Sequence, residues 1–112
     1  MRASTSVPAA AGIVKVQKDK DNGNLKLEIK VDHLANPASL MPPASDYIVW
    51  VLPRGGAAAV KQGAIRVDKD LKGELKVVTV STDFDVFITA EKSEIVSAPS
   101  DFKVLTTHVS LP

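Results

Sequence analysis

The sequence predicts an all-β domain, an immunoglobulin-like antiparallel β-sandwich of about seven strands. Three observations carry this. Leu25–Asp32 alternates apolar and polar residues without a break, the period of a strand with one buried and one wet face. Val and Ile crowd the middle of the chain, and β-branched side chains suit a pleated surface and are stiff in helices. No window of helical length keeps a helical period, while Gly, Pro and Asn punctuate the chain at the spacing of sandwich turns.

Residues 1–11 are small and polar with a proline at Pro8, and read as a flexible arm. Residues 12–112 form one sandwich domain. Gly12–Val16 is its first strand. Asn22-Gly23 supplies two residues that tolerate positive φ, as a tight hairpin turn needs, and leads into Leu25–Asp32. His33–Ser45 holds Pro37, Pro42 and Pro43, so it is a long connection of the kind that crosses between sheets. Asp46–Leu52 is apolar on both faces and belongs where both are covered. Pro53 ends it and Gly55-Gly56 turn the chain. Residues 57–67 form one strand broken at Gly63, where a bulge or a close backbone approach is expected.

Asp68–Gly73 is the next turn. Glu74–Ser81 and Phe84–Glu91 are strands that meet at a corner at Thr82-Asp83. Lys92–Asp101 loops out, and Phe102–Ser110 closes the domain. The expected core is Leu25, Leu27, Ile29, Val31, Trp50, Ile65, Val77, Val86, Ile88 and Val104. Trp50, in a mid-chain strand, matches the buried tryptophan of immunoglobulin-like sandwiches. The run Asp19–Lys26 is echoed at Asp68–Lys76, the same hairpin chemistry used twice without a repeat-sized period.

A chain of 112 residues fits one domain. Its net charge of +1 gives no single-sign field to attract nucleic acid. Arg54-Gly55-Gly56 beside Pro53 reads as a turn, not as an RNA-binding segment. The absence of cysteine excludes disulfides, thiolate zinc sites and a cysteine nucleophile. No stretch approaches the apolar length of a membrane span. The start of the chain has no hydrophobic signal core, consistent either with a processed exported chain or with a cytosolic one.

The chemistry-bearing residues form no recognisable constellation. Calcium loops of the helix–loop–helix type place oxygen ligands at positions 1, 3 and 5 and a bidentate Glu at 12. Counted from Asp19 or from Asp68, Gly23 or Lys72 falls at position 5, and Lys30 or Thr79 at position 12. Both runs therefore read as solvated turns. His33 and His108 stand far apart in sequence with no metal-ligand spacing around either. No Gly-x-Ser-x-Gly elbow is present. Asp83, Asp85 and Glu91 could be offered as a glycosidase carboxylate pair, but Asp85 and Glu91 lie on the side of their strand opposite Val86 and Ile88. A charged outer face accounts for them. No catalytic, cofactor-binding or metal-binding residue is expected, and no cofactor.

Tyr47–Leu52, the glycine-rich turn after it, Gly63–Asp68, and Phe84–Glu91 followed by Ala98-Pro99-Ser100 together resemble the extracytoplasmic domain of bacterial anti-sigma-K-type factors. They resemble more closely a group of small exported bacterial proteins with the same layout. The resemblance covers about residues 12–105 and rests on core strands and turns. It implies an immunoglobulin-like, exported (periplasmic or extracellular) domain and brings no catalytic residues. The chain lacks the sigma-binding region and transmembrane helix of those factors, so it does not imply sigma-factor inhibition. The expected function is a non-enzymatic bacterial sandwich that binds another protein or a cell-envelope component. The alternative is a structural or sensory module of a longer membrane-anchored envelope protein. Candidate partner-binding residues are Leu40 and Met41 in the proline-rich connection and Ile95 and Val96 in the last loop. Loops on a rigid sandwich are where binding residues concentrate; alternatively these side chains fold back and plug the ends of the sandwich.

Overall fold

Alternation along the chain becomes sheet wherever an apolar face can be buried. The computed structural model describes residues 2–3, 10–18, 24–35, 37, 44–56, 58–80, 83–93, 95–96, 98–100 and 103–110. They form seven strands of six to nine residues and one of two. In chain order these are β1 (Arg2–Ala3), β2 (Ala11–Lys18), β3 (Leu25–Asp32), β4 (Asp46–Pro53), β5 (Val60–Ile65), β6 (Gly73–Thr79), β7 (Asp83–Glu91) and β8 (Lys103–Ser110). Two antiparallel sheets result, β2-β3-β6 and β1-β8-β7-β4-β5. Their packing face to face is an immunoglobulin-like sandwich. Among the described residues there is no α-helix, and so none long and apolar enough to cross a membrane. Within the segment read as an arm, Arg2–Ala3 pairs with Thr106 and Leu105 of β8, and the buried Ala10 leads into β2.

The inner core follows the strand period. Leu25, Leu27, Ile29 and Val31 of β3 meet Tyr47, Val49 and Val51 of β4 and Phe84, Val86, Ile88 and Ala90 of β7. Ala10, Leu34, Ile65, Val104 and Leu105 complete it. Fully burying such a side chain stabilises by about 1.5–3 kcal/mol relative to leaving it exposed. Val77 is only half-buried, because β6 is an edge strand with a neighbour on one side alone. The bulge foreseen at Gly63 is present: the β4–β5 register slips between Val49 and Trp50, so that Val49 faces Gly63 while Trp50 faces Lys61. Gly63 takes φ 145° there, a conformation that favours glycine.

The connection after β3 does cross between the sheets. It begins at His33, whose φ of 54° turns the chain out of β3. Leu34 is buried and its N–H donates to the Leu71 carbonyl at 3.1 Å. The Tyr47 hydroxyl donates to the Ala35 carbonyl at 2.5 Å. Burial pushes the Tyr47 phenol up to about 12, so it stays a neutral donor at physiological pH. The Ala44 N–H donates to the Pro37 carbonyl at 2.9 Å, which holds the ends of the connection together. Leu40, Met41 and the Asn22-Gly23 turn lie outside the described residues.

The second turn uses its aspartate as a backbone acceptor. Asp68 Oδ1 takes the N–H of Asp70 at 2.8 Å and of Lys72 at 3.1 Å. That is the local role for which aspartate is favoured in turns.

Trp50 is fully buried, but not between the sheets. Tyr47, Val49 and Val51 take the inner face of β4, so Ile48 and Trp50 point the other way. They join Phe87 in a second, smaller cluster on the outer face of the five-stranded sheet. The expected likeness to the inter-sheet tryptophan therefore fails. A strand apolar on both faces does not itself say which parity faces the partner sheet.

Candidate functional site

The outer face of the five-stranded sheet carries two linked sets of polar side chains on either side of this second cluster. Register puts Trp50 opposite Phe87, and Phe87 opposite Thr106. Leu52, Ala59, Ala64 and Val96 pack on the cluster, so the β4–β5 and β7–β8 connections each add one apolar side chain to the cover. The Lys103 ammonium sits 4.6 Å from the Phe87 ring centre, a cation–π distance.

Toward the β7–β8 loop, the sheet holds a buried polar chain. The Trp50 Nε1–H donates to Thr89 Oγ1 at 2.8 Å, and that hydroxyl donates to Glu91 Oε2 at 2.5 Å. The Ser100 N–H donates to the same oxygen at 2.9 Å. Glu91 is thus buried and hydrogen-bonded, which corrects the expectation of a wet carboxylate. It does lie on the face opposite Val86 and Ile88, but loop residues cover that end of the face. Beyond it, the Ile95 N–H donates to Ser93 Oγ at 3.2 Å. Ile95 stands 85% exposed, while its neighbour Val96 is half-buried against the Trp50 cluster. The two proposed contact residues of this loop therefore part company, one outward and one inward.

At the opposite end of the same face lies a charged group that separate inspection of the two histidines did not bring together. β7 pairs with β8 so that Asp85 faces His108 and Asp83 faces Ser110. His108 Nδ1 is 2.7 Å from Asp85 Oδ1, and Nε2 is 2.8 Å from Asp83 Oδ1. Asp83 Oδ1 is buried and makes no aligned hydrogen bond, so the second contact is an ion-pair contact only. Asp83 Oδ2 takes the Arg54 guanidinium at 3.0 Å. The Arg54 N–H donates to the Asp83 carbonyl at 2.9 Å, which seats the Arg54-Gly55 turn on the end of β7. Hydrogen bonding to Asp85 raises the His108 imidazole above its ordinary value; burial opposes this, and the nearby Asp83 and Asp85 charges add to the rise. A cleft of about 320 Å³ opens beside it, lined also by Leu52, Pro53, Gly56 and Phe84.

A wider cleft of about 630 Å³ lies on the other sheet. Its walls mix Lys30, Arg66 and Lys72 with Asp32, Asp68 and Glu74. These charges are largely spoken for: Lys30 pairs with Glu28 at 3.0 Å, and Asp68 holds its turn. Lys30, with help from Lys15 and Lys76, holds the Glu28 carboxyl below the usual carboxylate range. Among the described residues no group of three or more His, Cys, Asp or Glu side chains is arranged to hold a metal ion.

Sequence alone missed the His108 group because the β7–β8 connection is long. With a two-residue hairpin, turn chemistry would set the register and reveal the Asp85–His108 pair; a long loop leaves it open. Comparison with known proteins finds no family model that matches the chain and no curated protein similar to it.

Proposed function

We propose that this chain is a non-enzymatic, exported bacterial β-sandwich that binds another protein or a cell-envelope component through the loop end of its five-stranded sheet. The observation that carries the reading is the display of Ile95. It is 85% exposed on a loop whose Val96 is seated in the Trp50 cluster and whose Ser100 is tied to Glu91. A large apolar side chain held outward on a fastened loop has the form of a contact residue, since loops on rigid scaffolds concentrate binding. Export and bacterial origin rest on the family resemblance of the strands and turns.

The test places a photo-crosslinking residue at position 95 and, as a control, at Lys69 on the turn before β6. Both chains are produced in the source organism. The reading expects a discrete adduct from position 95 and none from position 69. It also expects Ile95→Ser to abolish co-purification of that adduct's partner while the melting temperature stays within about 2 °C of the parent, as for a surface substitution. Equal labelling from both positions, or undiminished capture by Ile95→Ser, would refute it.

A further inference from the structure

The geometry around His108 points to a proton-operated brace: protonated His108 clamps Asp83 and Asp85, and through Asp83 it fixes Arg54 and the β4–β5 turn at the mouth of the 320 Å³ cleft. A neutral imidazole carries one N–H, and its other nitrogen presents a lone pair; only the imidazolium donates from both. Here both nitrogens face carboxylate oxygens, at 2.7 and 2.8 Å. A neutral ring would set a lone pair against an anion, so the observed arrangement belongs to the charged form.

Among the described residues, the charged groups facing His108 are three. β7 supplies Asp83 and Asp85, and the β4–β5 turn supplies Arg54. The other residues lining the cleft, Leu52, Pro53, Gly55, Gly56 and Phe84, carry no charged side chain. With His108 protonated the four charges cancel; without it one negative charge is left over. The weaker contact gives way first. Asp85 makes the aligned bond, whereas Asp83 Oδ1 lies close without one. Losing the proton therefore releases the Asp83 carboxylate, the side chain that holds the Arg54 guanidinium. The turn keeps its backbone bonds, Arg54 N–H to the Asp83 carbonyl and Gly56 N–H to the Pro53 carbonyl. It keeps the Arg54–Asp83 ion pair as well, but that pair is no longer braced against β8, so the turn becomes looser at its tip, where Gly55 sits at φ 75°. The cleft thus changes both charge and shape across one proton.

The linkage has a definite sign. The folded-state value of His108 is raised, so its contribution to stability is full below the unfolded value of about 6.5. It is lost as pH rises through the higher folded value.

The experiment is an NMR titration of the intact chain between about pH 5 and 9, spanning the ordinary histidine range. His108 ring signals are followed together with the Gly55 and Gly56 amides. The brace predicts a His108 midpoint above that of the same chain in urea, lowered by Asp85→Asn and by Asp83→Asn. It predicts that both glycine amides move with the same midpoint and stand still in His108→Gln. The melting-temperature advantage of the parent over His108→Gln should shrink between about pH 5.5 and 8.5. A His108 midpoint equal to that in urea, or glycine amides that ignore it, would overturn the proposal.

Discussion

Replacing Trp50 with alanine is expected to destabilise the domain by about 3–5 kcal/mol, the usual cost of removing a large buried aromatic. The side chain has no exposed surface and fills the centre of the outer cluster between Ile48 and Phe87. Its loss leaves a hole bounded below by the sheet, which does not collapse, and above by Val96 and Ala59. It also removes the donor to Thr89. Whole domains are stable by only about 5–15 kcal/mol. At roughly 4–8 °C per kcal/mol for a domain near this size, the melting temperature should fall by more than about 12 °C. Trp50→Phe keeps most of the filling and should cost distinctly less. If Trp50→Ala melts within a degree or two of the parent, the cluster is not closed.

Glu91→Ala is expected to cost about 1–3 kcal/mol, because it strands the buried Thr89 hydroxyl and unties the N–H of the exposed Ser100. The Thr89 hydroxyl and the Ser100 N–H both end on Glu91 Oε2. Thr89 is fully buried in the sheet, so its hydroxyl has no ready route to water. Ser100 belongs to the loop, so the substitution should also loosen the segment that carries Ile95 and Val96. Glu91→Gln keeps a carbonyl acceptor at the same reach and should recover most of the loss. Denaturant unfolding of the three chains checks the order parent, Gln, Ala. Equal midpoints for parent and Glu91→Ala would mean that the carboxylate is solvated and fastens nothing.

These two positions also mark where sequence reasoning stops. The inner core was legible because β3 alternates strictly: once Leu25 faces inward, Leu27, Ile29 and Val31 must follow. Gly63 was legible because a lone glycine inside a strand has few reasons to be there. Trp50 is buried, but in the outer cluster and not between the sheets. Its strand is apolar at every position from Tyr47 to Leu52, and parity has meaning only when one face is polar. Glu91 was read as solvated because strand alternation assumes that an outward face is a wet one. Here Ser100 and Val96 return over it from the next loop, and no local pattern announces a loop's path. The same ignorance of the β7–β8 register hid the Asp83–His108–Asp85 arrangement, three residues that are unremarkable one by one.

The central claim is that the second face of the five-stranded sheet is closed around Trp50 by its own loops, which makes a fixed platform for Ile95. Trp50 is the chain's single tryptophan, so its indole N–H gives one isolated NMR signal. The most direct measurement is hydrogen exchange at that site. The account predicts protection comparable to the central amides of β4 and β7, because the fully buried indole donates to Thr89, and predicts that Glu91→Ala shortens it. Exchange at the rate of a free indole, while the β4 amides remain protected, would show that the outer face is open and would contradict the account.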